Sequence, residues 1–214
     1  MWEYGSRKNA GRHNMQLHPL PFSGRPIFAL IFWAAFASWV LPEIVASKTK
    51  RSTDSSTPRD RGSLYLIAAL WWVGIAMDFF LAWFVPQAGI HGNRTALFFV
   101  GISLMILGIV FRWYCVSVLG KYFTFDVAIH TGHTLVEVGP YRYVRHPSYT
   151  GALLTLVGFG LSLGNWAGLA VVISCMGLAY SYRIPTEEAA LASALGESYT
   201  QYRKRTWYLV PFLF

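Results

Sequence analysis

Residues 149–182 read YTGALLTLVGFGLSLGNWAGLAVVISCMGLAYSY and contain no charged side chain. A helix needs about 20 apolar residues to cross a bilayer, so this run has room for two short crossings. Gly164, Asn165 and Trp166 divide the run near its middle, and glycine and asparagine are typical turn residues. We therefore predict two membrane helices joined as a tight helical hairpin.

Three further apolar segments precede this hairpin. They cover residues 27–45, 64–85 and 95–111, each near the length that crosses a bilayer. Their only charged side chains are Glu43 and Asp78. We expect Asp78 to face a bundle cavity or the hairpin and Glu43 to reach water, and we assign neither a role. The sequence thus predicts an all-α integral membrane protein with about five transmembrane helices.

The polar parts of the chain define its predicted organisation. Residues 1–26 form a polar, basic N-terminal tail, residues 27–116 hold three transmembrane helices, and residues 117–214 form a C-terminal region with the candidate site. No cleavable signal peptide is predicted, because the first apolar run is too long for one. Four side chains recur at helical spacing within residues 186–205, namely Leu191, Leu195, Tyr199 and Tyr202. They predict a C-terminal amphipathic helix on the protein or at the membrane interface.

The composition argues against several other classes of protein. The chain has 214 residues, of which 54% are hydrophobic and 13% charged, whereas soluble domains carry about 25% charged residues. The net charge is +8, but the basic side chains lie between apolar runs, so nucleic-acid binding is not predicted. Cys115 and Cys175 lack a CxxC partner, and no metal-ligand cluster or G-x-G-x-x-G fingerprint is visible. Disulfides, a metal site and a soluble dinucleotide-binding domain are therefore not expected.

Basic residues also indicate an orientation. They are frequent in residues 47–63, in residues 117–148 and in the C-terminal tail. Placing all three on the cytoplasmic side agrees with five crossings, although it puts the basic N-terminal tail outside, against the positive-inside rule. We predict an active site on the cytoplasmic side.

The first candidate site is the segment GPYRYVRHPSY at residues 139–149. Pro147 favours an extended His146 and suits the first position of a helix. The N-terminus of that helix would bind a carboxylate through its N–H groups and dipole, with Tyr141, Arg145 and His146 as further donors. The alternative interpretation is an interfacial belt of tyrosine and arginine that anchors the helix end.

The second candidate site combines Arg183 with Glu187, followed by Glu188. Residues four apart share a helix face, and a guanidinium binds carboxylates through two hydrogen bonds. The alternative is a weak ion pair within the helix, worth about 0.3–0.5 kcal/mol. Pro185 lies between the two residues and is expected to kink or restart the helix.

Taken together, these features resemble a known family. The motif GPYRYVRHPSYTG at residues 139–151, the apolar hairpin, and Arg183 followed by Glu187 and Glu188 are similar to the isoprenylcysteine carboxyl methyltransferases, within the wider phospholipid methyltransferase-like group. The resemblance covers about residues 111–214. It implies S-adenosylmethionine as the cofactor, enclosed by the C-terminal half of the chain. The cofactor contacts that it implies are His133, Thr134, Leu135, Val136, Tyr141, His146, Pro147, Ser148, Tyr149 and Glu187, with Arg183 as the catalytic residue that binds the substrate carboxylate.

The implied activity is carboxyl O-methylation of a prenylated cysteine or a similar lipophilic carboxylate. The implied partners are that lipophilic substrate and membrane lipid, with no obligate protein partner. Three alternatives stay open: a phospholipid or other amine methyltransferase, an NADPH-dependent membrane sterol-type reductase, and a membrane protein without catalytic activity. The reductases tend to carry an acidic residue soon after a similar HPxY segment, whereas here Tyr149 is followed by Thr-Gly-Ala-Leu-Leu.

Overall fold

The computed structural model describes residues 20–49, 61–125 and 134–211. Within these ranges the chain forms helices and no β-strand, apart from two isolated β-bridges. The helices are α1 (Pro26–Thr49), α2 (Arg61–Phe84), α3 (Arg94–Leu119), α4 (Pro147–Leu163), α5 (Trp166–Leu195) and α6 (Glu197–Arg205). The prediction of an all-α fold is confirmed for the part of the chain described.

Four of these helices, α1, α2, α3 and α5, are long and apolar enough to cross a membrane. The fifth apolar helix, α4, has 17 residues, and at 1.5 Å per residue it is about 25 Å long. The hydrocarbon core of a bilayer is about 30 Å thick, so α4 falls short of a full crossing by itself. The protein is a multi-pass membrane protein whose hairpin has one short arm and one long arm.

The predicted turn between α4 and α5 is present and is fastened to α2. Gly164 takes the left-handed conformation, with φ of 71°, and ends α4. The Asn165 side chain accepts a hydrogen bond from the backbone N–H of Gly168 at 3.0 Å and so caps α5. Its Nδ2 donates to the carbonyl oxygens of Leu81 at 3.2 Å and Val85 at 2.9 Å. The turn thereby satisfies carbonyl groups at the C-terminal end of α2.

Glycines bring α3 and α4 into backbone contact. A Cβ atom on Gly101 would lie 2.5 Å from the Ser162 nitrogen, and one on Gly151 would lie 2.8 Å from the Arg112 nitrogen. Small residues permit this close approach of helices inside a membrane. α3 packs against α4, and α2 packs against α5. Each contact joins one of the first three helices to one helix of the hairpin.

Asp78 lies at the contact between α2 and the hairpin, which is one of the two positions expected from the sequence. Its side chain is fully buried, and a Cβ atom on Gly160 would lie 3.1 Å from its Oδ2. Neither carboxylate oxygen has a hydrogen-bond partner among the described residues. The first turn of α5 packs on the other oxygen, through Gly168. The positive end of the α5 dipole therefore faces this carboxylate.

The C-terminal region differs from the sequence prediction in two respects. α5 continues through Pro185 to Leu195, so the helix does not restart at this proline. The predicted amphipathic segment is two helices, because Gly196 adopts φ of 56° and separates α5 from α6. Within α6, Tyr199 and Tyr202 are buried and the other side chains are exposed, which makes the short helix amphipathic.

Candidate active site

A pocket of about 280 Å³ lies where the start of α4, the second half of α5 and α6 meet the first three helices. Small-molecule sites are clefts of about 300–1,000 Å³, so the pocket is near the lower end of that range. Eight predicted site residues line it: Leu135, Val136, Tyr141, His146, Ser148, Tyr149, Arg183 and Glu187. Residues that the sequence separates by more than 50 positions are thus brought together.

Two of the remaining three predicted site residues lie outside the pocket lining. Thr134 is exposed, donates a hydrogen bond to the Tyr122 hydroxyl at 2.9 Å and does not line the pocket. Pro147 is buried at the first position of α4, where it shapes the helix start and lies outside the pocket lining. His133 falls outside the residues that the structure describes.

The pocket has an apolar part formed by the membrane helices. Trp39 and Ile44 of α1, Ile67 and Trp71 of α2 and Met176 of α5 contribute to it. These side chains form a lining without charge that suits the hydrocarbon part of a ligand.

Tyr149, Arg183 and Glu187 form a connected group in the polar part. The Tyr149 hydroxyl donates to Glu187 Oε2 at 2.8 Å, and Arg183 Nε donates to the same hydroxyl at 3.3 Å. Arg183 Nε and Glu187 Oε2 are 3.9 Å apart. The expected shared helix face therefore exists, because α5 is continuous between the two residues.

The Arg183 guanidinium is buried and extensively hydrogen-bonded. Its Nη1 donates to Ser63 Oγ on α2 at 2.7 Å, and its Nη2 donates to the Phe125 carbonyl oxygen at 2.7 Å. Only 3% of the side chain is exposed. These contacts fix the plane of the guanidinium.

Glu188 organises the start of α4, a role that the sequence did not reveal. Its Oε1 accepts a hydrogen bond from Arg145 Nε at 2.8 Å and lies 3.2 Å from His146 Nε2. Arg203 Nη2 of α6 lies 3.4 Å from the other oxygen. The Glu188 side chain is buried. Its contacts with Arg145, His146 and Arg203 link α5 to the start of α4 and to α6. Arg145 and His146 line the pocket in fixed orientations as a result.

Arg112 and Glu43 form an ion pair in the lining of the pocket, which sequence analysis missed. Arg112 Nε donates to Glu43 Oε1 at 2.5 Å, and Nη2 donates to Oε2 at 2.9 Å. The expectation that Glu43 reaches water is therefore wrong. Charged groups inside membrane segments usually pair with one another. An acid in α1 and a base in α3 could therefore have predicted this ion pair from the sequence.

Tyrosines form the wall of the pocket beside α6. The Tyr202 hydroxyl donates to the Tyr141 carbonyl oxygen at 2.7 Å, which ties α6 to the segment before α4. Burial raises the pKa of the Tyr141, Tyr199 and Tyr202 hydroxyls above the usual value near 10. These phenols therefore stay neutral at physiological pH.

Comparisons with known proteins agree on one family. A sequence model of the isoprenylcysteine carboxyl methyltransferase (ICMT) family matches residues 100–193. The chain is 36% identical to the protein-S-isoprenylcysteine O-methyltransferase of Schizosaccharomyces pombe over 114 residues, 52% of this chain and 48% of that protein. It is 33% identical to the probable protein-S-isoprenylcysteine O-methyltransferase of Oryza sativa subsp. indica over 117 residues, 54% of this chain and 61% of that protein.

A solved structure of the eukaryotic intramembrane Ras methyltransferase ICMT is also similar. The TM-score is 0.57 at 27% sequence identity, and the match covers 87% of this chain and 64% of that chain. The chain spans about half to three fifths of the length of the curated relatives named above. The family match contains most of α3, all of α4 and nearly all of α5, with Arg112, His146 and Arg183 among its residues. Through this region the chain is similar to the isoprenylcysteine carboxyl methyltransferase family.

Proposed function

We propose that the protein is an S-adenosylmethionine-dependent methyltransferase that methylates the carboxylate of a prenylated cysteine or a similar lipophilic acid. One observation carries the proposal: a single pocket joins an apolar part lined by tryptophans to a polar part that contains the buried Arg183 and the partly buried Arg112. A hydrocarbon tail that ends in a carboxylate suits both parts, because the tail leaves water while its charge is paired. The names of the relatives support the same substrate class.

The polar part of the pocket fits the groups of S-adenosylmethionine. Glu187 offers a carboxylate to an ammonium group or to ribose hydroxyls. The first turn of α4, with His146 beside it, offers donors and a positive dipole end to the methionine carboxylate. Leu135 and Val136 supply apolar surface on the same side. When bound, the cofactor supplies a methyl group on a positively charged sulfur.

We propose that Arg183 binds and aims the acceptor carboxylate. A carboxylate with an ordinary pKa of about 4 is already ionised at neutral pH, so its methylation requires no general base. The main task of the protein is then to align the reacting atoms at about 3–3.5 Å and to exclude water from them. Arg183 is suited to the first task because α2 and the Phe125 carbonyl hold its guanidinium in place.

The acceptor is proposed to enter from the bilayer. Trp72 lines the pocket and is 47% exposed, and it belongs to α2, which is long and apolar enough to cross a membrane. An apolar side chain that borders both the pocket and the lipid offers a lateral route for a prenyl chain. We place the polar part of the pocket on the cytoplasmic side, where the basic residues near α4 and α6 satisfy the positive-inside rule.

The proposal is tested by binding and by the chemistry of the product. Detergent-purified protein is titrated with S-adenosylmethionine by calorimetry, and is then incubated with methyl-labelled S-adenosylmethionine and a farnesylated cysteine. We expect binding, and label that alkali releases as methanol, because a methyl ester is hydrolysed by base and an N-methyl group is not. Glu187→Gln should weaken binding, whereas Glu197→Gln, an exposed residue of α6, should not.

Other results would identify a different enzyme or none. Alkali-stable label on phosphatidylethanolamine would indicate an amine methyltransferase. Binding of NADPH in place of S-adenosylmethionine would indicate a reductase. A protein that binds neither compound would contradict the proposed function as a whole.

A further inference from the structure

Tyr199 of α6 is a pocket residue to which the family resemblance assigns no role. Its side chain is 1% exposed, and it lines the same pocket as Glu187 and His146. In the sequence it was visible only as one member of a helical repeat of apolar side chains. Because Tyr199 is buried in the pocket lining, its hydroxyl needs a hydrogen-bond partner inside the protein or on a ligand.

The Tyr199 hydroxyl is buried without a hydrogen-bond partner among residues 20–49, 61–125 and 134–211. Buried hydroxyls are normally paired, because water can no longer satisfy them. Tyr202 provides the comparison, since it lies three residues further along α6 and its hydroxyl donates to the Tyr141 carbonyl oxygen at 2.7 Å. Two neighbouring buried tyrosines on one helix thus differ in whether the protein pairs their hydroxyl groups.

The surroundings of Tyr199 favour a neutral hydroxyl that donates a hydrogen bond. Burial, followed by the nearby carboxylates of Glu188 and Glu187, raises its pKa, so the phenol does not ionise at physiological pH. Glu187 already accepts a hydrogen bond from Tyr149, and Glu188 is held by Arg145 and His146. Both neighbouring acids are therefore engaged with other partners.

We propose that the Tyr199 hydroxyl is a hydrogen-bonding group for the bound methyl donor, next to Glu187. The assignment rests on the proposed function, because it requires that the pocket binds S-adenosylmethionine. In this arrangement the ligand satisfies a hydroxyl that the protein itself leaves unpaired. The ring of Tyr199 contributes separately, by packing against Tyr202 at a centroid distance of 6.0 Å.

The test compares three tyrosine-to-phenylalanine variants of the detergent-purified full chain. Tyr199→Phe removes the unpaired hydroxyl, Tyr202→Phe removes the paired one, and Tyr182→Phe removes an exposed hydroxyl of α5 as a control. The melting temperature without ligand and the Kd for S-adenosylmethionine are measured for each variant. We expect Tyr199→Phe to weaken binding about three- to tenfold, the usual range for one neutral hydrogen bond, without lowering the melting temperature.

The two readouts separate a ligand contact from a structural one. Tyr202→Phe should lower the melting temperature, and Tyr182→Phe should change neither quantity. If Tyr199→Phe binds as tightly as the wild type, the assignment is wrong while the proposed function stands. If it lowers the melting temperature as Tyr202→Phe does, a protein group pairs the hydroxyl and the assignment is also wrong. A wild-type protein that does not bind S-adenosylmethionine overturns the proposed function and this assignment with it.

Discussion

Arg112 of α3 and Glu43 of α1 are joined by two parallel hydrogen bonds, of 2.5 Å between Nε and Oε1 and 2.9 Å between Nη2 and Oε2. Both side chains line the pocket, and little of either is exposed. Arg112 Nη1 also donates to the Ser148 carbonyl oxygen of α4 at 3.3 Å. The first helix is thereby linked through one guanidinium to the segment that contains His146, so α1 contributes to the site as well as to membrane anchoring.

Removal of one partner of this pair should destabilise the protein strongly. Glu43→Ala leaves the Arg112 guanidinium buried without its counter-charge, and such changes cost about 3–5 kcal/mol. Replacing both residues, as Glu43→Leu with Arg112→Met, should recover most of that loss because no charge remains buried. Melting temperatures of the two single variants and the double variant in detergent give the coupling. If the losses of stability in the two single variants simply add up in the double variant, the two side chains are not paired.

Arg183→Lys should separate acceptor binding from cofactor binding. Lysine keeps the positive charge but loses the planar fork that donates to Ser63 and Phe125, and it does not bind a carboxylate through two hydrogen bonds. We expect kcat/KM for a farnesylated cysteine to fall about 10- to 100-fold, as for a lost charge-assisted hydrogen bond. The Kd for S-adenosylmethionine should change less than threefold. A larger effect on cofactor binding than on turnover would assign Arg183 to the cofactor.

A methyl group at the α3–α4 contact should destabilise the protein. In Gly101→Ala the new Cβ would lie 2.5 Å from the Ser162 nitrogen, so the helices must separate, at a cost of about 1–3 kcal/mol. The matched control is Gly177→Ala in α5, where no atom lies within 4 Å of the new Cβ. Alanine is the better helix former, so this control should stabilise the protein by up to about 1 kcal/mol. Thermal unfolding of both variants measures the contrast, and equal shifts would mean that the helices are not in backbone contact.

Alkaline pH should weaken the attachment of α6. Burial raises the pKa of Tyr199 and Tyr202 in the folded protein above the value near 10 that they have when unfolded. The folded state then retains protons that the unfolded state releases, so stability is constant below about pH 10 and falls as the pH rises further. Melting temperatures between pH 8 and pH 11 should show this decline. The decline should be smaller in Tyr202→Phe than in Tyr182→Phe, and an equal decline would argue against burial as its cause.

Local patterns predicted the helices and several of the residues that line the pocket. The apolar runs, the Gly164-Asn165 turn and the motif around His146 are short-range features, and short-range features are what periodicity and turn chemistry report. Tyr141, His146 and Tyr149 lie within one such motif, so their shared position in the pocket followed from the chain itself.

Contacts between distant segments were beyond the reach of these patterns. The partner of Arg183 on α2 is Ser63, and the partner of Glu43 is Arg112, both far away in the sequence. Nothing in the local composition identifies such pairs, because their distance depends on how the helices pack. The continuation of α5 through Pro185 is a similar case, because proline by itself favours the end of a helix.

The hairpin turn offers a substitution series that separates its two functions. Asn165→Asp retains an oxygen that can cap α5 at Gly168, but it loses the donor to Leu81 and Val85 and places a carboxylate beside their carbonyl oxygens. Asn165→Ala loses both the cap and the donor, which should cost about 1–2 kcal/mol for the cap alone. If fastening to α2 matters more than the cap, the aspartate variant will be the less stable of the two, because it adds repulsion to an unpaired group. Melting temperatures in detergent decide the order, and a wild-type-like aspartate variant would mean that capping is the main role of Asn165.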